Sequence, residues 1–240
     1  MMYYEIIGNT KENVVLFLHG WGADCTSFKG VVFNLPKNDI SYILVDFPGF
    51  GKSEEPTKSY SVLDYANEII ALLDNLKINK VTIVGHSFGG RVGIVLASKF
   101  SERVEKLILV DSAGVIEGRG IKYHLKVWCY KFKVKLFGRE RVKLSGSADY
   151  KALKSDIMRE TFKMVVNEDL LNIAKTITIP TILIWGDKDK TTTIKAGKKL
   201  NRAIKNSKLI VLEGAGHFCF LDKPTEFVYI LYDSIFLLGN

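Results

Sequence analysis

A serine flanked by glycines follows directly on an apolar run in this chain. The stretch GHSFGG places Ser87 two residues after Gly85 and two residues before Gly89, behind the apolar residues 81–84. Glycine at these positions relieves the crowding of a very tight turn from a strand into a helix. A hydroxyl at the apex of such a turn, beside the positive end of the helix, can act as a nucleophile. The spacing therefore predicts nucleophilic chemistry at Ser87.

A serine nucleophile needs a base that removes its proton. Among the four histidines, His217 is the predicted base, because it lies on a glycine-rich loop just past the apolar run 209–212. The alternative for His217 is a histidine that only packs within its loop. The other three are placed less well: His19 follows an early apolar run, His86 adjoins the serine and should point away from it, and His124 lies in a basic stretch.

The base in turn needs an acid that orients its ring. The stretch WGDKDK follows the apolar run 181–185 and offers Asp187 and Asp189. We predict Asp189, because a loop that reaches the base needs a few residues after the strand, and Asp187 remains the alternative. Asp111, which follows the run LILV, is a further candidate, although a helix or turn cap is the simpler expectation for it.

Main-chain N–H groups near Ser87 are needed to stabilise the negative charge that develops on a substrate oxygen. The stretch LHGWG places Gly20 and Trp21 after an apolar run, and Phe88 directly follows the serine. We predict the N–H groups of Trp21 and Phe88 as the two donors of an oxyanion hole. A plain glycine turn is the alternative for LHGWG, since the side-chain types do not decide what the main chain does.

No metal or organic cofactor is predicted. The stretch GFGKS resembles the end of a phosphate-binding loop, but the full pattern requires glycine where Asp46 stands, and we expect Asp46 to be a structural turn residue. The three cysteines, Cys25, Cys129 and Cys219, are too few and too widely spaced for a zinc site or a disulfide framework. We expect packing thiols in a reducing compartment, which favours the cytoplasm.

Apolar runs of strand length alternate with segments of helical periodicity along most of the chain. Short continuous runs rich in Val, Ile and Leu are typical of strands that are covered on both faces. The pattern predicts the α/β class, with a mostly parallel central sheet flanked by helices. The predicted strands are residues 14–18, 42–45, 81–84, 107–110, 181–185 and 209–212, with an outer strand in YYEII near the start.

One region interrupts this alternation. Residues 114–176 contain no convincing strand and have helical patterns, so we predict an insertion over the edge of the sheet where ligands bind in open α/β folds. Residues 1–113 and 177–240 would then form one core domain. Between Ser112 and Ser145 stand six lysines and three arginines but only two glutamates, which is nearly all of the net charge of +8. A solvated face is the simpler expectation for these lysines, and docking of an acidic partner is the sharper hypothesis.

Five stretches together resemble the α/β-hydrolase fold superfamily: LHGWG, DFPGFGKS, GHSFGG, WGDKDK and GAGHF occur in its order and spacing. The resemblance implies Ser87, Asp189 and His217 as the catalytic residues, with Trp21 and Phe88 at the oxyanion hole. It also makes the insertion a helical cap, or lid, over the active site. Serine as the nucleophile argues against the dehalogenases and epoxide hydrolases that share this pattern, because those use aspartate.

The predicted function is hydrolysis of small-molecule carboxylic esters or thioesters through an acyl-enzyme. A carbon–carbon bond hydrolase of the meta-cleavage type would use the same three residues, and some proteins that look like this one are ligand-sensing receptors with slow turnover. The HGWG loop also resembles carrier-protein methyl-ester esterases, which makes an acidic acyl carrier protein a candidate partner for the basic stretch. Neither nucleic-acid binding nor a membrane span is predicted, since a span requires ~20 apolar residues.

Overall fold

The centre of the molecule is a single β-sheet. Within residues 1–116 and 148–237, which the computed structural model describes, the sheet has seven strands: β1 (Tyr4–Ile7), β2 (Val14–Leu18), β3 (Ser41–Val45), β4 (Val81–His86), β5 (Val104–Val110), β6 (Thr181–Gly186) and β7 (Ser207–Leu212). Their order across the sheet is β1-β3-β2-β4-β5-β6-β7. Strand β1 pairs antiparallel with β3, and all the other pairs are parallel. The predicted α/β class with a mostly parallel sheet is confirmed.

The strands that carry the candidate site are longer than their apolar runs. Strand β4 continues past the predicted end to His86, and β6 continues to Gly186. The reason is the hydrogen-bond ladder, which pairs His86 with Val110 at the end of β5 and therefore holds polar and glycine positions in extended geometry. The ladder thus brings the residues just after β4, β5 and β6 to one edge of the sheet.

Helices cover both faces of the sheet. The helices are α1 (Lys29–Phe33), α2 (Val62–Leu76), α3 (Phe88–Lys99), α4 (Ala148–Ala152), α5 (Asp156–Asn167), α6 (Leu171–Ala174), α7 (Ile194–Ala203), α8 (Cys219–Asp222) and α9 (Pro224–Phe236), with 3₁₀ turns at Cys25–Phe28 and Ser101–Arg103. Helix α2 begins with a capping box, in which Ser61 and Asp64 exchange side-chain to main-chain hydrogen bonds. Helix α9 begins with Pro224, whose fixed φ suits the first turn.

The hydrophobic core has two layers because successive side chains of a strand point to opposite faces. Leu16 and Leu18 of β2 pack in the layer formed with α2, α3 and α7. Val15 and Phe17 of the same strand pack in the layer formed with α1, α8 and α9. Strands β2, β3 and β4 are buried along their full length, as expected for a sheet covered on both sides.

Helices α4 to α6 lie between β5 and β6 in the chain, within the predicted insertion. Its described part, residues 114–116 and 148–176, contains helices and no strand. Met158 is buried in the core and packs against Gly49, while the Thr161 hydroxyl accepts a hydrogen bond from the N–H of Tyr60. Most of the basic stretch, including His124 and Cys129, lies outside the described residues. The boundaries of a separate cap domain therefore stay a prediction.

The described helices of this protein are either too short or too polar to cross a bilayer.

Candidate active site

Ser87 occupies a strained turn between β4 and α3. Its backbone has φ of +50° and ψ of −108°, a conformation that residues other than glycine rarely adopt. Main-chain hydrogen bonds hold it there. Its N–H donates to the carbonyl of Val110 at 3.1 Å, and its own carbonyl accepts from the N–H groups of Gly90 at 3.1 Å, Arg91 at 3.3 Å and Ala113 at 3.0 Å. Since the turn is tied to both β5 and α3, the Ser87 side chain is held at the start of the helix.

The glycines around Ser87 are required by close packing of the main chain. A Cβ atom at Gly89 would lie 2.1 Å from the carbonyl oxygen of Leu18, and one at Gly85 would lie 2.6 Å from the carbonyl oxygen of Gly89. Neither overlap can be relieved by a side-chain rotation, because the neighbours are backbone atoms. The predicted reason for the G-x-S-x-G spacing, relief of crowding, therefore agrees with the contacts at these two positions.

The structure brings Ser87, His217 and Asp189 together at the carboxyl edge of the sheet. The Nε2 atom of His217 lies 3.1 Å from the Oγ atom of Ser87, and its Nδ1 atom lies 2.8 Å from Oδ2 of Asp189. The carboxylate only accepts hydrogen bonds, so the Nδ1 atom carries the proton of a neutral ring. This leaves Nε2 as an acceptor for the serine hydroxyl, which is the arrangement that a general base needs.

Asp189 is buried, and its carboxylate accepts several hydrogen bonds. Burial raises the pKa of this carboxyl, but hydrogen bonds from His217 and Thr192 outweigh that effect and hold the pKa below its ordinary value. The main-chain N–H groups of Thr191 and Thr192 donate to Oδ1 at 2.7 and 3.0 Å. Asp189 is therefore a fixed negative charge behind His217, able to stabilise the ring when it becomes protonated.

Thr192 is part of this cluster, and the sequence reasoning missed it. Its Oγ1 atom lies 2.6 Å from Oδ2 of Asp189, 2.8 Å from the carbonyl oxygen of Asp111 and 3.2 Å from Nδ1 of His217. Part of this arrangement is local, since Thr192 lies three residues after Asp189 and an aspartate side chain commonly bonds the main chain about two residues further on. The contacts with Asp111 and His217 are long-range and leave no local pattern.

The predicted oxyanion-hole donors have main-chain N–H groups that bond no described residue. Within residues 1–116 and 148–237, neither Trp21 nor Phe88 donates its N–H to any acceptor. Phe88 is the first residue of α3, where the helix supplies no acceptor and adds a partial positive charge. Among the described residues nothing occupies these two N–H groups, and their role as an oxyanion hole stays a prediction.

Two buried histidines fix the loops around the site. His19 accepts a hydrogen bond at Nε2 from the N–H of Phe47, so its Nδ1–H donates to the carbonyl of Gly20, at 2.7 Å. His86 points away from the serine, as predicted, and its Nε2–H donates to the carbonyl of His217 at 2.8 Å. Burial lowers the pKa of both rings, that of His86 to about 3, so both remain neutral. They act as positioning residues, a role that their neighbours in sequence do not reveal.

The alternative acids have other partners. Asp187 accepts a hydrogen bond from the N–H of Gly214 at 2.7 Å and pairs with Lys188, so it does not reach His217. Asp111 is fully buried and accepts from the N–H groups of Gly186 at 2.8 Å and Cys219 at 3.4 Å. It therefore ties the loops after β6 and β7 together, which extends the expected turn-capping role.

A cavity of about 340 Å³ lies beside Ser87, a volume suited to a small ligand. Among the described residues its walls include Trp21 and Phe88 from the core and Phe162 and Val165 from helix α5. The Trp21 ring packs edge-on against Phe88 and Phe162, with centroids 5.2 and 5.1 Å apart. A larger groove of about 870 Å³ is lined by residues of α1 and α9, but its lining has no acidic or basic side chain and no triad residue.

One acidic cluster in the described residues has metal-binding residue types, namely Asp24, Cys25 and Asp46. Its carboxylate oxygens already accept hydrogen bonds from the main chain. The Asp46 carboxylate accepts hydrogen bonds from the N–H groups of Cys25 at 2.7 Å and Lys52 at 2.8 Å. The Asp24 carboxylate accepts one from the N–H of Thr26 at 2.8 Å. Burial raises the pKa of the Cys25 thiol to about 12, which disfavours the thiolate that a metal needs. These groups order the loops, as expected for Asp46.

A family model described as alpha/beta hydrolase fold matches residues 13–128 and 117–224. An uncharacterised protein of Mycobacterium tuberculosis is 30% identical over 251 residues, which cover 90% of this chain and 73% of that protein. A monoacylglycerol lipase of Xenopus laevis is 26% identical over 252 residues, which cover 92% of this chain and 74% of the lipase. The solved structure of an esterase from Exiguobacterium antarcticum superposes with a TM-score of 0.78 at 26% identity, covering 98% of this chain and 95% of the esterase.

Proposed function

This chain belongs to the alpha/beta hydrolase fold family, and we propose that it is a serine hydrolase that cleaves carboxylic esters or thioesters through an acyl-enzyme. The observation that carries the proposal is the hydrogen-bonded series Ser87–His217–Asp189, of which Ser87 lines the cavity. The similarity to an esterase and to a monoacylglycerol lipase supports ester substrates.

In the proposed acylation step, His217 accepts the Ser87 proton at Nε2 while the Ser87 Oγ atom attacks the carbonyl carbon. Asp189 accepts the hydrogen bond from Nδ1–H and stabilises the imidazolium that forms. The protonated ring then donates its Nε2 proton to the leaving alcohol or thiol. The products of this half-reaction are the leaving group and an ester between Ser87 and the acyl part of the substrate.

The proposed oxyanion hole acts in both halves of the reaction. The N–H groups of Trp21 and Phe88 would donate to the carbonyl oxygen as it gains negative charge, and the loss of one such donor costs about 3 kcal/mol of transition-state stabilisation. In the second half, water replaces the alcohol: His217 removes its proton, and Ser87 is released with the acid product. These steps require no group beyond the protein and water.

Turnover of p-nitrophenyl esters with graded acyl chains tests this proposal. We expect p-nitrophenol release by the wild-type protein, and loss of at least about 10³-fold in kcat for Ser87→Ala, since covalent catalysis ends. Ser98→Ala is the matched control, because Ser98 lies on the same helix α3 but bonds Thr176 instead. Undiminished turnover by Ser87→Ala would exclude Ser87 as the nucleophile.

Assays of the wild-type protein also distinguish ester hydrolysis from the two alternative functions, carbon–carbon bond hydrolysis and ligand sensing. A carbon–carbon hydrolase would turn over a dienone ring-cleavage product faster than any simple ester. A ligand-sensing receptor would turn over neither at an appreciable rate but would bind a partner protein only when a ligand is trapped at Ser87.

The acidic carrier protein remains a prediction, since most of the basic stretch lies outside the described residues. Docking on that stretch would make turnover of a carrier-bound acyl ester fall with added salt, while turnover of a small neutral ester would not. Equal salt responses would exclude it. The cytoplasmic location, likewise a prediction, is checked by cell fractionation.

A further inference from the structure

Arg91 is a buried cation one helical turn beyond Ser87. Both residues belong to the turn into α3, where the N–H of Arg91 donates to the carbonyl of Ser87 at 3.3 Å. Only 6% of Arg91 is exposed, and it lines the cavity beside the serine. A positively charged side chain in such a place is uncommon, because burial of an unpaired charge costs several kcal/mol.

The guanidinium is only partly satisfied by the protein. Its Nη1 donates to the carbonyl of Glu168 at 2.7 Å, at the C-terminal end of helix α5. No other acceptor in residues 1–116 and 148–237 bonds it, and none of their carboxylates lies within the 4.0 Å of an ion pair. Burial lowers the pKa of Arg91 to about 10, and the Glu168 and Asp169 carboxylates oppose this effect from a distance, so the side chain stays charged at neutral pH.

Neither of two nearby aspartates pairs with Arg91. Asp169 accepts hydrogen bonds from the N–H groups of Leu171 at 2.8 Å and Ile116 at 3.3 Å. Asp149 also lines the cavity but is exposed and forms no ion pair with Arg91. Arg91 itself is one of the residues that line the cavity beside Ser87. A buried guanidinium with one hydrogen bond to a described residue thus lies at the wall of the space where a substrate would bind.

We propose that Arg91 is a specificity residue that binds a carboxylate carried by the ester substrate. This inference rests on the proposed ester hydrolysis and narrows it to monoesters of dicarboxylic acids. A carboxylate matches the fork of N–H donors on a guanidinium, and the apolar walls at Phe162 and Val165 suit the methylene chain between the two ends. The substrate would supply the counter-charge that the described protein does not.

A matched pair of esters tests this inference: monomethyl adipate, which carries a terminal carboxylate, and methyl adipamate, its neutral amide. We expect the wild-type kcat/KM to be about 10- to 100-fold higher for the carboxylate, the range for hydrogen bonds to a charged group. Arg91→Gln should bring the ratio close to one, and Arg91→Lys should keep part of it. The ratio of the two kcat/KM values is compared within each variant. Loss of the hydrogen bond to Glu168 would affect both esters equally and would leave this ratio unchanged.

Arg103→Gln is the control, because Arg103 also donates to main-chain carbonyls, those of Asn79 and Ile78, but lies outside the cavity lining. Its ratio should equal that of the wild type. Binding of the two esters to Ser87→Ala, with and without Arg91→Gln, is measured by calorimetry and needs no turnover. Equal binding, or a preference that survives Arg91→Gln, overturns the inference even if ester hydrolysis stands. Arg91-dependent binding without any wild-type turnover would instead uphold the site and reject the proposed hydrolysis.

Discussion

Replacement of Thr192 by valine tests whether its hydroxyl positions the Asp189–His217 pair. The hydroxyl has one proton and two acceptors within reach, Oδ2 of Asp189 at 2.6 Å and the carbonyl oxygen of Asp111 at 2.8 Å. The shorter contact is to the carboxylate oxygen that also accepts from Nδ1–H of His217, so the Thr192 hydroxyl helps to hold that oxygen in place. Valine keeps the branched shape and removes the donor. Asp189 would retain His217 and the main-chain N–H groups of Thr191 and Thr192, so the triad should stay assembled.

The expected loss follows from the single bond removed. A hydrogen bond to a charged group is worth about 1.5–3 kcal/mol, which corresponds to roughly a 10- to 100-fold loss if it acts fully in the transition state. We expect this loss in kcat, with KM changed less than about twofold, because Thr192 orients the base and does not add to ground-state binding. The assay is p-nitrophenyl ester turnover over a range of pH.

Two further variants make this result decisive. Thr192→Ser restores a hydroxyl and should recover most of the activity. Thr191→Val is the control, because Thr191 contacts Asp189 through its main-chain N–H, which valine retains. A Thr192→Val protein within about twofold of the wild type, or a Thr192→Ser protein as impaired as valine, would refute the positioning role.

Three other predictions concern the frame of the site. Gly89→Ala should lower kcat at least about tenfold and destabilise the fold by about 1–3 kcal/mol, because the new Cβ would lie 2.1 Å from the carbonyl oxygen of Leu18. Gly30→Ala is the control in the same assays, because the space around Gly30 is open. Burial raises the pKa of Asp111 from 3.8 to about 7, against the hydrogen bonds of Gly186 and Cys219 and with help from the Asp189 charge. Stability should therefore fall as pH rises from about 4 through 7, and Asp111→Asn should flatten this part of the melting-temperature profile. Lys106→Met should loosen the end of α9, because Lys106 donates hydrogen bonds to the carbonyls of Ser234 and Ile235 at 2.7 and 3.0 Å. Hydrogen exchange of the α9 amides should become faster, and unchanged exchange would contradict this prediction.

Much of the fold was predictable because its signals are local. Each core strand contains a short, mostly apolar run, and Ser87 and Gly89 occupy a turn whose tightness leaves few residue choices. The predicted meeting of Ser87, Asp189 and His217 also follows from topology, since parallel strands end at one edge of the sheet. The observed distances agree with that expectation, while the catalytic roles await experiment.

The residues that hold the site in place were not predictable in the same way. His19, His86, Asp111 and Thr192 act through partners between 1 and 131 residues away in the chain, and the partners are often main-chain atoms. No periodicity or short motif records such a contact. Arg91 was hidden for a similar reason. Its place in the sequence of helix α3 does not show that the described residues offer it no carboxylate.

The most direct test concerns the Ser87 hydroxyl, which we propose is a nucleophile activated by His217. Reaction with a fluorophosphonate, in which the serine oxygen displaces fluoride from phosphorus, measures this directly by intact mass and peptide mapping. We expect one adduct per chain on the peptide that contains Ser87, and a rate lowered about 10²- to 10⁴-fold in His217→Ala. An adduct on another residue, or labelling of His217→Ala at the wild-type rate, would contradict it.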